Sequence, residues 1–240
     1  MTKGLKVTSS TEGNDDNEVS FANFFQGWLV RQEQYLDELV SASDVHSDES
    51  SDDDLRQLVS RILAHYQQYY EQKSKFIERN VFLVFFPPWF TSFEKTFLWI
   101  AGFKPGLAFR LVADSIDDLS ENQVLRINRL MKETKSKERT LDDELARIQE
   151  SVGAPPLLEN ARRGGRRSLI HGEQAEDSGS DSDSAMALLK SNMEAVGTAA
   201  DTLRMSTALK VMEVLEPAQS VKFLAAAAQL QLRLRSWGLE

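Results

Sequence analysis

The chain has 240 residues, 41% hydrophobic and 27% charged, which gives enough apolar surface for one large folded domain or two small ones. It has no cysteine, which excludes disulfides, thiolate zinc sites and a cysteine nucleophile. The net charge of -9 opposes binding to a phosphate backbone unless positive charge gathers on one face. The segment Met1–Ser20 lacks a signal peptide's apolar core and no apolar run could span a bilayer, so we expect a protein of the nucleus and cytoplasm that binds no membrane.

The N-terminal part predicts a polar tail followed by an amphipathic helix. Residues 1–19 bury too little apolar surface to offset the entropy of ordering, so we expect a disordered, acidic and polar tail. Ser20 stands where a helix N-cap belongs. Apolar residues then recur at helical spacing: Phe21, Phe24, Phe25, Trp28, Leu29, Tyr35, Leu36, Leu39 and Val40. The acidic segment 41–54 contains no lysine or arginine, which predicts a loop.

A second long helix and two short helices follow. The second helix is expected to begin at Ser51 or Asp52, with acids in its first turn. It must end before Pro87, because proline lacks an amide hydrogen and disfavours helical dihedrals in the preceding residue. Thr91 and Glu94 have the spacing of a capping box, and Gly102 suits the left-handed position that ends a helix. A further short helix is expected after Pro105.

The C-terminal half predicts three more helices around a charged insert. A capping-box pair precedes a seam over residues 127–152, and a second seam covers 186–203 within a helix that ends near Leu215. Between them, residues 159–184 are too charged and too rich in Gly and Ser to pack, so we expect a flexible insert. A last helix covers about 218–236. The fold class is therefore all-α, a bundle of long antiparallel helices with short connecting helices and no sheet.

The two seams leave the oligomeric state open. The segments 127–152 and 186–203 can pair with each other inside one chain, or with a second chain in a homodimer. Pairing inside one chain is the simpler expectation, because the insert connects the segments as a hairpin.

Five sequence blocks carry a family resemblance. They are FANFFQGWLVRQEQYLDELVSA (Phe21–Ala42), LRQLVSRILAHYQQYY (Leu55–Tyr70), FLWIAGFKP (Phe97–Pro105), LSENQVLRINRLMKET (Leu119–Thr134) and VLEPAQSVKFLAAAAQLQLRLRSWG (Val214–Gly238). In this order they resemble the plant Delay-of-Germination domain, above all its free-standing members. The same domain forms the C-terminal region of TGA bZIP transcription factors. The resemblance places one such domain at residues 20–240, interrupted by the insert.

The resemblance implies a non-enzymatic regulator. Members of the family are all-helical regulators of seed dormancy, seed maturation and defence transcription that act through protein partners. The partners implied are type 2C phosphatases of abscisic-acid signalling, TGA-type transcription factors and coactivators. The start of the first helix is implicated in binding, which makes Phe24, Phe25 and Trp28 candidate partner-binding residues.

The stretch FPPWFTSFEKTFLWIAGFKPG (Phe86–Gly106) is unusually rich in aromatic residues. Helical spacing predicts that Phe93, Phe97 and Leu98 face the long helices, since aromatic rings at such spacing usually fill a bundle core. The remaining rings are candidates for a partner surface: Trp89, Phe90 and Trp99.

No cofactor, metal site or catalytic site is expected. Haem binding in the family is associated with two histidines of the last helix, and the corresponding residues here are Gln231 and Arg235, which are not haem ligands. Asp52, Asp53 and Asp54 lack the ligand order of a calcium loop and better suit a solvated helix start. No phosphate-binding, zincin or nucleophile-elbow motif is present.

The charged segments contain candidate regulatory residues. Ser50, Ser51, Ser178 and Ser180 each precede an aspartate by three positions, a pattern that acid-directed kinases accept. An unmodified solubilising loop explains the same composition. Four arginines form a candidate nuclear-import signal: Arg162, Arg163, Arg166 and Arg167. Pairing of these arginines with the acidic residues nearby is an equal alternative.

Two functions of another class remain as alternatives. One is a transcriptional module that contacts DNA directly or through TGA factors. Direct contact is disfavoured, because only Lys3 and Lys6 are basic before Phe21 and no zipper heptads precede the domain. The other is a sensor that holds a fatty acid or haem in a cavity between helices.

Overall fold

The structure is a computed structural model that describes residues 12–44, 51–153 and 179–240. The described residues form seven helices and no β-strand, so the predicted all-α class is confirmed. The helices are α1 (Glu12–Asp44), α2 (Asp52–Phe85), α3 (Ser92–Lys95), α4 (Leu107–Ser115), α5 (Glu121–Ser151), α6 (Gly179–Met212) and α7 (Pro217–Trp237). Within these ranges, no helix has both the length and the apolar character needed to cross a lipid bilayer.

The long helices pack as antiparallel pairs. The indole nitrogen of Trp28 on α1 donates to the carbonyl of His65 on α2 at 3.1 Å. Helices α5 and α6 pair in the same way, with the hydroxyl groups of Thr134 and Thr207 3.4 Å apart. The segments 127–152 and 186–203 therefore pair within the chain. Helix α7 packs on α1, α2 and α4, which completes the bundle.

The core consists of three apolar clusters. The largest joins α1, α2, α4, α5, α6 and α7, and includes Leu39, Ile62 and Val211. A second, aromatic cluster lies between α1 and the C-terminal half of α2, around Phe25. The third joins α5 and α6 to the turn after α3. The aromatic stretch 86–106 lies against the second and third clusters.

Several helix boundaries differ from those predicted. Helix α1 begins at Glu12 rather than at Ser20, so residues 12–19 are helical and not part of a disordered tail. Once a helix is nucleated, each added residue forms one further backbone hydrogen bond. Acidic residues near the N-terminus of a helix also interact favourably with the helix dipole. The predicted loop 41–54 is shorter at its N-terminal end, since α1 continues to Asp44, whereas α2 begins at Asp52, as predicted.

The insert is also shorter than predicted at its C-terminal end. Helix α6 begins at Gly179, so residues 179–184 are helical. Asp181 and Asp183 lie in or near its first turns, where negative charge stabilises a helix. Residues 154–178, which include the rest of the predicted insert, lie outside the described residues.

Candidate functional site

A tight turn after α3 adopts a backbone conformation that side chains disfavour. The amide of Trp99 donates to the carbonyl of Gly102 at 2.6 Å, and the reverse bond measures 3.2 Å. Between them, Ile100 has φ 41° and Ala101 has φ 60°. Positive φ is costly for a β-branched residue, so other parts of the structure must hold this turn. The residues with positive φ are thus Ile100 and Ala101. The sequence predicted Gly102 in the left-handed position, and that prediction is wrong.

Arg204 on α6 holds the turn by its carbonyl groups. Its Nε atom donates to the carbonyl of Phe103 at 2.6 Å, and its Nη2 atom donates to the carbonyls of Trp99 and Ile100. One guanidinium group therefore fixes three carbonyls that the turn leaves outside any helix. Charged donors form stronger hydrogen bonds than neutral ones, which offsets the strain of the turn.

Lys73 on α2 provides a second charged contact. Its Nζ atom donates to the carbonyl of Ala101 at 2.6 Å and to Oδ1 of Asp201 at 2.8 Å. Nη1 of Arg204 bonds the same carboxylate oxygen at 2.5 Å. Lys73, Asp201 and Arg204, here called the charge cluster, are all buried. Burial lowers the pKa of Lys73 to about 8, while the carboxylate of Asp201 opposes that shift.

The side chain of Trp99 is fixed from the outer side of the turn. Its indole nitrogen donates to Oδ1 of Asp142 on α5 at 2.5 Å. Lys104 donates to the other oxygen of that carboxylate at 3.1 Å, and its Nζ atom lies 5.3 Å from the centre of the indole ring. The turn, α2, α5 and α6 are therefore joined by one network of polar contacts.

Three phenylalanine rings of the stretch 86–106, which contains this turn, are exposed. Phe86 is 77% exposed, Phe97 46% and Phe93 39%, and we name these residues the aromatic corner. The rings of Phe93 and Phe97 meet edge to face, with centroids 5.1 Å apart. The prediction that both face the long helices is wrong. Helix α3 has only four residues, and the one that it buries is Glu94, which pairs with Arg235 on α7.

The structure places Phe25 and Trp28 in the core rather than on a surface. Phe25 is 1% exposed and Trp28 3%, and the Trp28 ring stacks on His65 at 4.5 Å. Phe24, which precedes Phe25 in the chain, is only partly buried. A partner could therefore contact Phe25 and Trp28 only after a movement of α1.

The other predicted aromatic residues are half-buried. The Trp89 ring packs on Phe21 at 4.7 Å, and the Phe90 ring packs on Phe25 at 5.2 Å. Trp99 is also half-buried, next to the aromatic corner in the chain. All three residues are therefore partly accessible while they pack against the second and third core clusters.

The family's haem positions are occupied by residues with other contacts. Nη1 of Arg235 donates to the carbonyl of Trp89 and to Oε2 of Glu94, each at 2.8 Å. Gln231 lines a cavity beside α7. Neither side chain ligates haem iron in proteins. In the part of the chain that the structure describes, no three side chains of His, Asp or Glu come together as a metal site.

The structure covers only some of the candidate regulatory residues. Ser51 is the N-cap of α2, and its hydroxyl accepts from the amide of Asp54 at 3.2 Å. Ser180 lies at the start of α6. The other candidates lie outside the described residues: Ser50, Ser178, Arg162, Arg163, Arg166 and Arg167.

The charge cluster was missed at the level of sequence, although one signal was present. Lys73 falls on the apolar stripe of α2, between His65 and Phe76, where a lysine has no solvent to face. A charged residue on such a stripe indicates a buried partner. Its partner, Asp201, is 128 positions away in the chain, so no local pattern could identify it.

Comparison with known proteins identifies the family. The family model described as seed dormancy control matches residues 35–114. Protein ZW2 of Arabidopsis thaliana is 40% identical over 98% of this chain and 100% of its own length. Protein RESPONSE TO ABA AND SALT 1 of the same plant is 39% identical over 92% of this chain and 96% of its own. Transcription factor TGA5, also from A. thaliana, is 30% identical over 95% of this chain and 65% of its own. The chain therefore belongs to the seed dormancy control family, the Delay-of-Germination family that its sequence blocks resemble.

Proposed function

We propose that this protein is a non-enzymatic plant regulator that acts by binding protein partners in abscisic-acid signalling or in transcription. Seed dormancy, seed maturation and reproductive development are the processes that the family suggests. One relative is named for the response to ABA and salt, and others are TGA transcription factors, which supports both settings.

The aromatic corner is the observation that carries this proposal. Exposed Phe86, Phe93 and Phe97 keep large apolar rings in water, and aromatic rings are the usual anchors of protein interfaces. The turn that follows Phe97 in the chain is fixed by the charge cluster and by Asp142. A rigid surface loses little conformational entropy when it binds, which favours association.

The partners that we propose are type 2C phosphatases, TGA-type transcription factors or coactivators. Contact with DNA is then indirect, because the net charge of -9 repels the phosphate backbone. Fluorescence anisotropy with labelled DNA distinguishes indirect contact through partners from direct, sequence-specific DNA binding by this protein. Saturable, sequence-selective binding at physiological salt would contradict it.

Affinity purification from developing plant tissue tests the proposed partners. We expect the wild-type protein to retain a phosphatase or a transcriptional protein, and the variant Phe86→Ser/Phe97→Ser to lose it. Leu125→Ser is the matched control, because Leu125 is an equally exposed apolar residue on α5. Absence of both partner classes from the wild-type sample would contradict the pathway. Retention by the double variant would exclude the aromatic corner.

A further inference from the structure

An apolar cavity lies between α2, α4, α6 and α7, apart from the aromatic corner. Its volume is about 240 Å³. Side chains from all four helices line it, among them Leu63, Leu111, Met205, Met212, Phe223 and Leu230. Leucine and methionine side chains do not fix the orientation of a bound ligand, so the orientation must come from the few polar groups in the wall.

Two polar side chains in the wall have hydrogen-bonding groups that no other described residue engages. The hydroxyl of Tyr70 and the amide of Gln231 form no hydrogen bond with any other described residue. Burial raises the pKa of Tyr70 above its usual range, so its hydroxyl keeps its proton and is available as a donor. A third polar residue, Gln67, spends its amide nitrogen on Glu71 at 2.9 Å and leaves its carbonyl oxygen as an acceptor.

The two cations at the cavity are already engaged. All three guanidinium nitrogens of Arg204 donate to backbone carbonyls or to Asp201. Lys104 pairs with Asp142 at 3.1 Å. A carboxylate placed in this cavity would therefore share its cations with Asp201 and Asp142, whose carboxylates already neutralise them, and a buried charge without a counter-charge of its own is costly. The wall selects a neutral ligand.

The volume limits the size of that ligand. A cavity of about 150 Å³ holds one benzene ring, so about 240 Å³ holds roughly ten non-hydrogen atoms. A tetrapyrrole is several times too large for this cavity. A long acyl chain would extend well outside it. The size and the polar groups together favour one or two small rings with a single oxygen function.

We propose that this cavity binds a neutral, compact lipophile of about ten non-hydrogen atoms that carries one hydroxyl or carbonyl group. The oxygen function bonds to Tyr70 and Gln231, and the apolar body packs among the leucine and methionine side chains. This site is separate from the partner surface of the proposed function, so either assignment can fail without the other.

Calorimetric titration of the full chain with 1-naphthol tests the proposal. We expect saturable binding at one site per chain, and at least tenfold weaker binding of 1-naphthoate, which has the same rings and a negative charge. Tyr70→Phe keeps the ring and removes the hydroxyl, so it should weaken 1-naphthol binding by roughly threefold to tenfold. Tighter binding of 1-naphthoate would assign the cavity to organic anions, and binding of neither probe would leave it to a partner's side chain. Both results overturn the proposal.

Cavity-filling variants locate the site. Ala208→Met on α6 and Ala227→Met on α7 each place a longer side chain in the cavity, and each should reduce 1-naphthol affinity more than tenfold. Ala199→Met is the matched control, because Ala199 is exposed on the opposite side of α6 and faces a different groove. Far-ultraviolet circular dichroism confirms that each variant is folded. Binding that neither cavity variant reduces would place the ligand elsewhere and contradict the proposal.

Discussion

The Nζ atom of Lys73 lies 2.8 Å from Oδ1 of Asp201, although the two residues are 128 positions apart in the chain. Both side chains are buried, and Arg204 bonds the same carboxylate oxygen. This pair joins α2 to α6 and, through the carbonyl of Ala101, joins both helices to the turn beside the aromatic corner. The geometry of a candidate partner surface thus depends on buried charges that no partner can contact.

Asp201→Asn should strongly destabilise the protein. The substitution leaves the two cations of the charge cluster buried without a counter-charge, and breaking a buried ion pair in this way typically costs about 3 to 5 kcal/mol. We expect the free energy of unfolding, measured by urea denaturation, to fall by about 3 kcal/mol. The control is Glu38→Gln, which breaks the exposed pair with Arg61 at 2.6 Å and should cost less than about 1 kcal/mol. Equal losses in the two variants would contradict a special role for Asp201.

The stability of the wild-type protein should rise between pH 8 and pH 9.5. The pKa of Lys73 is lowered from 10.5 to about 8 in the folded state, so the unfolded chain binds the additional proton within this window. Stability then increases with pH, by at most about 1.4 kcal/mol per pH unit. The measurement stops at pH 9.5, because tyrosines of the unfolded chain ionise at higher pH. Burial raises the pKa of Tyr66 to about 12, so the folded chain keeps this proton and stability falls as the pH rises further. Lys73→Met should lack the rise, and the same slope in both proteins would contradict the assignment.

Two glycine-to-alanine variants should change stability in opposite directions. A Cβ atom at Gly102 would lie 2.9 Å from Cζ of Arg204, whose head group is fixed by the turn, so Gly102→Ala should cost about 1 to 3 kcal/mol. A Cβ atom at Gly27 meets nothing within 4 Å, and the residue lies within α1. Gly27→Ala should therefore stabilise the protein by about 0.5 to 1 kcal/mol. Thermal unfolding of both variants tests the packing of Arg204 on the turn, and destabilisation by both would contradict it.

The parts of the fold that depend on neighbouring residues could be predicted from the sequence. The capping boxes of Thr91 with Glu94 and of Ser120 with Gln123 are both present, because each needs only residues three positions apart. Pro87 ends α2 within one residue of the predicted place, for the same local reason. These features act before any tertiary contact forms, so pattern and propensity suffice.

The turn and the surface beside it could not be predicted, because distant contacts determine them. Local preference places Gly102, not Ile100 or Ala101, at positive φ, whereas the bonds from Arg204 to the carbonyl of Ile100 and from Lys73 to that of Ala101 hold the observed conformation. Helical spacing likewise assigned Phe97 to the core, but the helix that would carry it ends at Lys95. The sequence indicates that the aromatic residues matter, yet which of their rings are exposed depends on distant contacts with α1 and α5.

The phenylalanine variant of His65 should resist acid better than the wild-type protein. His65 is buried against Trp28, and neither of its ring nitrogens has a hydrogen-bond partner among the described residues. Burial, with a smaller effect from Arg31, lowers its pKa from 6.5 to about 4. Between these values the unfolded chain takes up a proton that the folded chain excludes, so stability falls as pH decreases, by about 3 kcal/mol at pH 4. His65→Phe keeps an aromatic ring on Trp28 and removes this loss, whereas the control Tyr35→Phe, a ring 5.1 Å from His65, retains it. Urea denaturation at pH 7 and pH 4 measures the difference, and an equal loss in wild type and His65→Phe would show that His65 takes up its proton without unfolding.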